Sequence, residues 1–275
     1  MNPSPSNRQL RPSHAFSLTD FFRELKYKYR IYKFKNLTPA FDPGTNIFSF
    51  EFEGDRFLIK TPDVRDFISF NIIRHRTFYD LADLNQARPF IRKGSVVIDA
   101  GANIGNHALY YAKVCQAGRV LSFEPQEHVF SILQENIRLN ELDGTIIPYR
   151  LAIGDQNTRA AVDFRDDHQV SKRLAQTNHG GVYLKEETEG AFEVRTLDSL
   201  FLDSLDRLDF IKMDIQGFEA KAVRGGRRLI AKFKPVIQLE CMTEAEYETI
   251  LKPLMAELNY RLKQKLNIDY IFEPI

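Results

Sequence analysis

The chain has 275 residues, 43% hydrophobic and 27% charged, with a formal net charge of +1. That length suffices for one large α/β domain, an extension and a buried core, and the near-neutral balance argues against a general polyanion binder. Two cysteines, Cys115 and Cys241, are too few for a disulfide framework or a metal cluster and read as reduced core or surface thiols.

Residues 1–18 are polar and proline-punctuated and read as a flexible tail. They lack the apolar segment of a signal peptide, and no apolar run in the chain is long enough to span a bilayer, so a soluble, cytoplasmic protein is expected. Residues 19–90 read as an N-terminal extension. Its first stretch, DFFRELKYKYRIYKFKNL, mixes aromatic residues with Lys26, Lys28, Arg30, Lys33 and Lys35, opposed by Asp20 and Glu24. Two readings fit: a basic amphipathic helix that meets an acidic partner, a membrane surface or a lipid-linked substrate, or an accessory helix packing its aromatic side on the domain. Ile47 to Lys60 alternates apolar and polar residues about Glu53-Gly54-Asp55, a hairpin signature. Pro62 to Arg92 has helical spacing through Phe67, Ile68, Ile72, Ile73, Phe78 and Leu81.

Residues 91–275 form the main domain. Val96-Val97-Ile98 is a continuous apolar run, as in a parallel strand covered on both faces. It ends in Asp99-Ala100-Gly101-Ala102-Asn103-Ile104-Gly105, where small residues let a ligand approach the backbone before a helix begins at His107. A second strand, Val120 to Phe123, delivers Glu124 and Pro125, with Glu124 at the interval where nucleotide-binding βαβ units place an acid for ribose hydroxyls. A dinucleotide pyrophosphate needs a helix start free of acid; Asp99 repels phosphate and suits the ammonium of a methionine moiety. The turn therefore favours S-adenosylmethionine over NAD, with Asp99, the turn residues 101–105, Glu124 and Pro125 as candidate cofactor contacts.

The helix over EHVFSILQENIRLNEL follows, with Asn136 and Asn140 expected to cap or brace it. Thr145 to Ile153 reads as a third parallel strand, which would bring Ala152 and Asp155 to the ligand side, Asp155 facing the adenine amino group or an exposed turn. Residues 156–194 are irregular and read as an inserted hairpin or lid, a position from which loops select substrate; His179 beside Gly180-Gly181 is its candidate catalytic residue. A short helix, Leu197 to Leu208, leads to the fourth strand, Asp209 to Asp214. Alternation puts Lys212 and Asp214 on one face, and a lysine in a central strand is costly unless paired or reaching water. Gly217 opens a helix through Glu219, Val223 and Leu229; the fifth strand, Val236 to Glu240, ends on the ligand side. Thr243 and Glu246 form a capping box, Pro253 kinks the next helix, and Tyr260 to Gln264 with Asp269 to Phe272 make a closing hairpin.

Several ordered blocks over residues 77–274 resemble the FkbM-type methyltransferases, a branch of the class I S-adenosylmethionine-dependent enzymes. They are Asp99-Ala-Gly-Ala-Asn-Ile-Gly105, Phe123-Glu124-Pro125, Leu133-x-x-Asn136 with Leu139-Asn140, Thr196-Leu197-Asp198, and Ile211-Lys-Met-Asp214-Ile-Gln216-Gly-Phe-Glu219. The chain departs from the family at Gln216, where Glu is commoner. The resemblance implies a Rossmann-like fold with a seven-stranded, mostly parallel sheet and an antiparallel last strand, preceded by the helical and hairpin extension. It also implies a hydroxyl acceptor on a sugar, glycan or secondary metabolite, and an extension over the cofactor entrance that brings Tyr79 and Asp80 to its lining, unless both simply pack. Moving the hydroxyl proton requires a base or a metal. Asp214, also a candidate cofactor contact, is the first candidate, with Lys212 activating the hydroxyl or orienting Asp214, an arrangement that resembles the Lys–Asp pairs of ribose methyltransferases. Glu219, Glu240 and His179 rank second. Carboxylate count alone would admit a divalent ion on Asp214, Glu219 and Glu240, but no tight ligand spacing accompanies it. Nucleic acid is not the expected acceptor, since no RNA-binding motif is present; the alternatives are a methyltransferase acting on RNA and a catalytically silent binding module that keeps the cofactor fold, for which Gln216 is the foothold.

Overall fold

The computed structural model describes residues 22, 25, 26, 28, 29, 31–33, 36, 40–64, 66–163 and 183–275. A seven-stranded sheet runs in the order Tyr260–Leu266, Asp269–Pro274, Val236–Glu240, Phe210–Met213, Val96–Ala100, Arg119–Phe123, Ile146–Tyr149. Neighbours pair in parallel from Val236–Glu240 through Ile146–Tyr149, while Asp269–Pro274 is antiparallel to both of its neighbours. The apolar strands are buried on both faces. Val97, Val120 and Phe210 belong to the core on one side; Ile98, Leu121 and Ile211 belong to the core on the other.

The expected third strand is divided. Ile146–Tyr149 is the sheet edge, where Pro148 can be accommodated. Ala152–Ile153 leaves it to pair in parallel with Val194–Arg195 in a second sheet of four strands, completed by Thr158–Val162 and Leu184–Glu186. Residues 156–194 thus contribute three strands, and residues 164–182, which include His179, lie outside the described residues. Two helices are also shorter than their spacing suggests. Leu197–Phe201 ends before Leu208, and the segment after Gly217 forms Glu219–Gly225 and Arg227–Phe233 with a break at Gly226. The Thr243 hydroxyl accepts the Glu246 N–H at 3.1 Å, as a capping residue should. Tyr247–Leu251 widens into a π-helical turn just before Pro253.

The extension shares the core of the domain. Its hairpin, Ile47–Phe52 and Asp55–Lys60, turns at Glu53 and Gly54, both with positive φ. Phe78 meets Phe50, Phe52, Phe57 and Tyr110 edge-on, with centroids 4.8 to 5.4 Å apart. Three asparagine carboxamides then fasten extension backbone to the domain. On the helix Glu127–Leu139, Asn136 accepts from Lys60 N at 2.6 Å and donates to Lys60 O at 3.0 Å and Ile104 O at 2.8 Å. Asn140 does the same for Leu58, accepting at 3.0 Å and donating at 2.7 Å. Asn106 grips Tyr79 with two bonds of 2.9 Å. Each carboxamide supplies one donor and one acceptor to a residue, as a neighbouring strand would.

Candidate active site

Two clefts open at the carboxyl ends of the parallel strands and share Gly101, Glu124, Asp214 and Gln216. The smaller, about 510 Å³, is walled by Phe123, Pro125, Leu151, Ile153, Leu184 and Phe218. The larger, about 1210 Å³, is lined by Asp80, Asp83, Glu124, Asp214, Glu240 and Asp269, with Lys212 as the sole lysine or arginine lining it among the described residues.

The glycine turn is shaped by the protein itself. Gly101 has φ +81°, and a Cβ there would lie 1.9 Å from the Asp214 carbonyl oxygen, so the turn and the loop after the fourth strand touch backbone to backbone. Ala102, Asn103 and Ile104 line the larger cleft, whereas Gly105 supports the turn from beneath, against Leu133. Beyond it, His107 also reaches the larger cleft. Burial, then the Lys212 charge, push its imidazole down to about 3, so it is neutral at physiological pH.

Asp99 sits under the clefts and lines neither. Strand register sets Ser122, Asp99, Lys212 and Gln238 side by side in one row, each at most 3% exposed. Within that row the Lys212 ammonium is 3.6 Å from Asp99, donates to Gly101 O at 3.1 Å, and reaches Asp214 at 3.5 Å. Burial opposes its charge, but Asp214 and Asp99 outweigh that effect and hold it above the ordinary lysine range. Lys212 is therefore paired rather than snorkelling to solvent.

Gln216 bridges two acids. Its Nε2 donates to Asp214 at 2.9 Å and to Glu240 at 3.1 Å, from a backbone with φ 54°. Burial would raise Asp214, yet Lys212, Glu240 and Gln216 together hold its carboxyl below the usual range. Burial, then the Asp214 charge, push Glu240 up to about 9. Glu219 is turned away from both clefts. Its oxygens accept Ile215 N at 2.8 Å and Gly217 N at 2.9 Å, which brace the loop between Asp214 and Phe218. Among the described residues no three His, Cys, Asp or Glu side chains are arranged to hold a metal ion.

Glu124 is 3% exposed and accepts Gln126 N at 2.9 Å, while burial pushes its carboxyl up to about 7. Ala152 lines the smaller cleft. Asp155 lines neither, because the chain has crossed to the second sheet before it. Tyr79 and Asp80, by contrast, do line the larger cleft. Asp80 has φ 50° at the start of the helix Leu81–Ala87, and burial pushes its carboxyl up to about 6; burial does the same to Asp83 and Asp269. Sequence reasoning missed His107, Asp83 and Asp269 as cleft residues. The helical spacing of Asp80 and Asp83 could have paired those two, but nothing local links them to Asp269.

This strand order, with a glycine turn after the first strand and an antiparallel last strand, defines a class I methyltransferase fold. The FkbM methyltransferase domain matches residues 99–262, more than half of the chain, and the chain belongs to that family. Among curated relatives it is 27% identical over 145 residues to "Methyltransferase 1" of Beauveria bassiana (strain ARSEF 2860), covering 48% of this chain and 58% of that protein. It is 28% identical over 176 residues to the 2-O-methyltransferase NoeI of Sinorhizobium fredii (strain NBRC 101917 / NGR234), covering 60% and 70%. The chain thus spans less than two thirds of the first of these. A crystal structure of methyltransferase FkbM from Methylobacillus flagellatus KT is similar with a TM-score of 0.48 at 18% identity, covering 90% of this chain and 59% of that one.

Proposed function

We propose that the protein transfers the methyl group of S-adenosylmethionine to a hydroxyl of a sugar, glycan or secondary metabolite. The observation that carries this reading is the pair of clefts joined at Asp214, Gln216, Glu124 and Gly101, one apolar and one acidic. The residues suit the cofactor. The apolar walls of the smaller cleft suit an adenine ring, Glu124 suits ribose hydroxyls, and the carboxylates around the junction suit a ligand carrying ammonium and sulfonium charges. When bound, it supplies an activated methyl group for in-line displacement; the chain must align an acceptor and exclude water.

Asp214 is the acceptor-side carboxylate. With its oxygens anchored by Gln216 and Lys212 and its acidity increased, it orients the hydroxyl and balances positive charge rather than serving as the main base. Asp80 and Asp269, pushed up to about 6, are better matched to taking the hydroxyl proton near neutral pH. Lys212 fixes Asp214 and the glycine turn. The 2-O-methyl transfer named for NoeI supports oxygen as the atom methylated, and the acidic lining disfavours phosphate-bearing acceptors such as RNA.

The test pairs calorimetric titration of S-adenosylmethionine with a methyl-label screen over hydroxylated sugars and metabolites. Saturable binding that Glu124→Ala weakens about 10- to 100-fold, together with label transfer to oxygen, is expected. Absence of cofactor binding, or label on nitrogen or carbon alone, overturns the reading.

A further inference from the structure

The described residues between 22 and 36 are helical and line neither cleft. Eight large apolar side chains are exposed among the described residues, and four of them belong to this segment: Phe22 at 56%, Leu25 at 53%, Tyr29 at 64% and Tyr32 at 66%. Their 3-4-3 spacing places them along one helix face. Ile31, on the opposite face, packs against the core of the extension and domain. The helix is thus seated by one side and presents an aromatic stripe on the other. Lys26, Lys28 and Lys33, all exposed, flank that stripe. Over residues 19–37 the sequence carries six basic and two acidic residues, a net +4 in a chain whose total is +1.

We infer that this face docks on an anionic lipid surface, with the aromatic stripe entering the headgroup and acyl boundary and the lysines meeting the headgroup charge. The arrangement is that of an interfacial helix: an apolar face with aromatic side chains, bordered by cations, lying in the plane of the membrane. A second copy of the chain fits less well, because it would bring its own lysines against these. A nucleic acid would satisfy the lysines and leave the Leu25 side chain in water. The inference does not depend on the methyl-transfer reading.

The test is co-sedimentation of the full chain with extruded vesicles of phosphatidylcholine alone and with about 30 mol% phosphatidylglycerol added. Partitioning at least about tenfold stronger onto the anionic vesicles is expected, falling steeply in about 0.5 M salt. The double variants Tyr29→Ser/Tyr32→Ser and Lys26→Glu/Lys33→Glu should each lose about tenfold in partitioning while keeping the wild-type melting temperature and cofactor affinity. No binding to either vesicle, equal binding to both, or binding indifferent to either variant overturns the inference. So does a stripe-dependent dimer in sedimentation velocity without vesicle binding, or stronger retention by single-stranded RNA than by anionic vesicles.

Discussion

Lys212 stands where one positive charge neutralises several negative ones, and its removal should be felt first as lost stability. Lys212→Met leaves Asp99 fully buried without its counter-charge, and about 3–5 kcal/mol of destabilisation is expected in urea unfolding. Adding Asp99→Asn should return part of that loss, because the two residues act as a pair. The acids around the cleft make a second prediction. Glu124 and Glu240 are raised to about 7 and about 9, and Asp80, Asp83 and Asp269 to about 6. A carboxyl whose folded pKa exceeds its unfolded one gives stability that is present at low pH and lost as pH rises through the folded value. The melting temperature of the cofactor-free protein should therefore fall from pH 5 to 9. Glu240→Gln should flatten the part of that curve above pH 7 (differential scanning calorimetry across the range checks both).

At the scale of elements, the asparagine clamps do what a β-ladder would do between segments far apart in sequence. Asn136→Ala removes three hydrogen bonds and strands the amide and carbonyl of Lys60, so a loss of about 2–4 kcal/mol is expected, against less than about 1 kcal/mol for the exposed Gln156→Ala. The clamps also mark the limit of reading elements from sequence. Apolar runs and glycine turns announced the parallel strands, the hairpin at Gly54 and the closing hairpin, because those signals are local. Asn136 and Asn140 were legible only as braces, since their partners lie 76 and 82 residues away. The divided third strand was illegible for a related reason: Ala152–Ile153 is a strand only because Val194–Arg195 lies beside it. Likewise Glu219 is acidic and next to the site, yet its carboxylate closes a loop, a role fixed by the direction in which the helix leaves Phe218.

For the whole molecule, the shared core matters most. Residues 41–91 and the helices of the domain contribute to one continuous cluster, so the boundary placed near residue 90 separates segments of sequence rather than independent bodies. Urea unfolding followed by far-ultraviolet circular dichroism and by cofactor-site protection should give one coincident transition; two resolved steps would show that the extension unfolds alone. The glycine turn, Glu124 and Asp214, which the two clefts share or border, were legible because they sit at strand ends with local signals. Of the far wall of the larger cleft, Tyr79 and Asp80 were legible through the family resemblance, whereas Asp83, Asn267 and Asp269 were not, because no local signal ties the closing hairpin to the extension. All five lie outside the 99–262 region that defines family membership. The two ends of the chain thus act as a pair of jaws: substitutions there can reshape the larger cleft, and replace the carboxyls proposed to take the proton, without altering a residue of the segment by which the lineage is known.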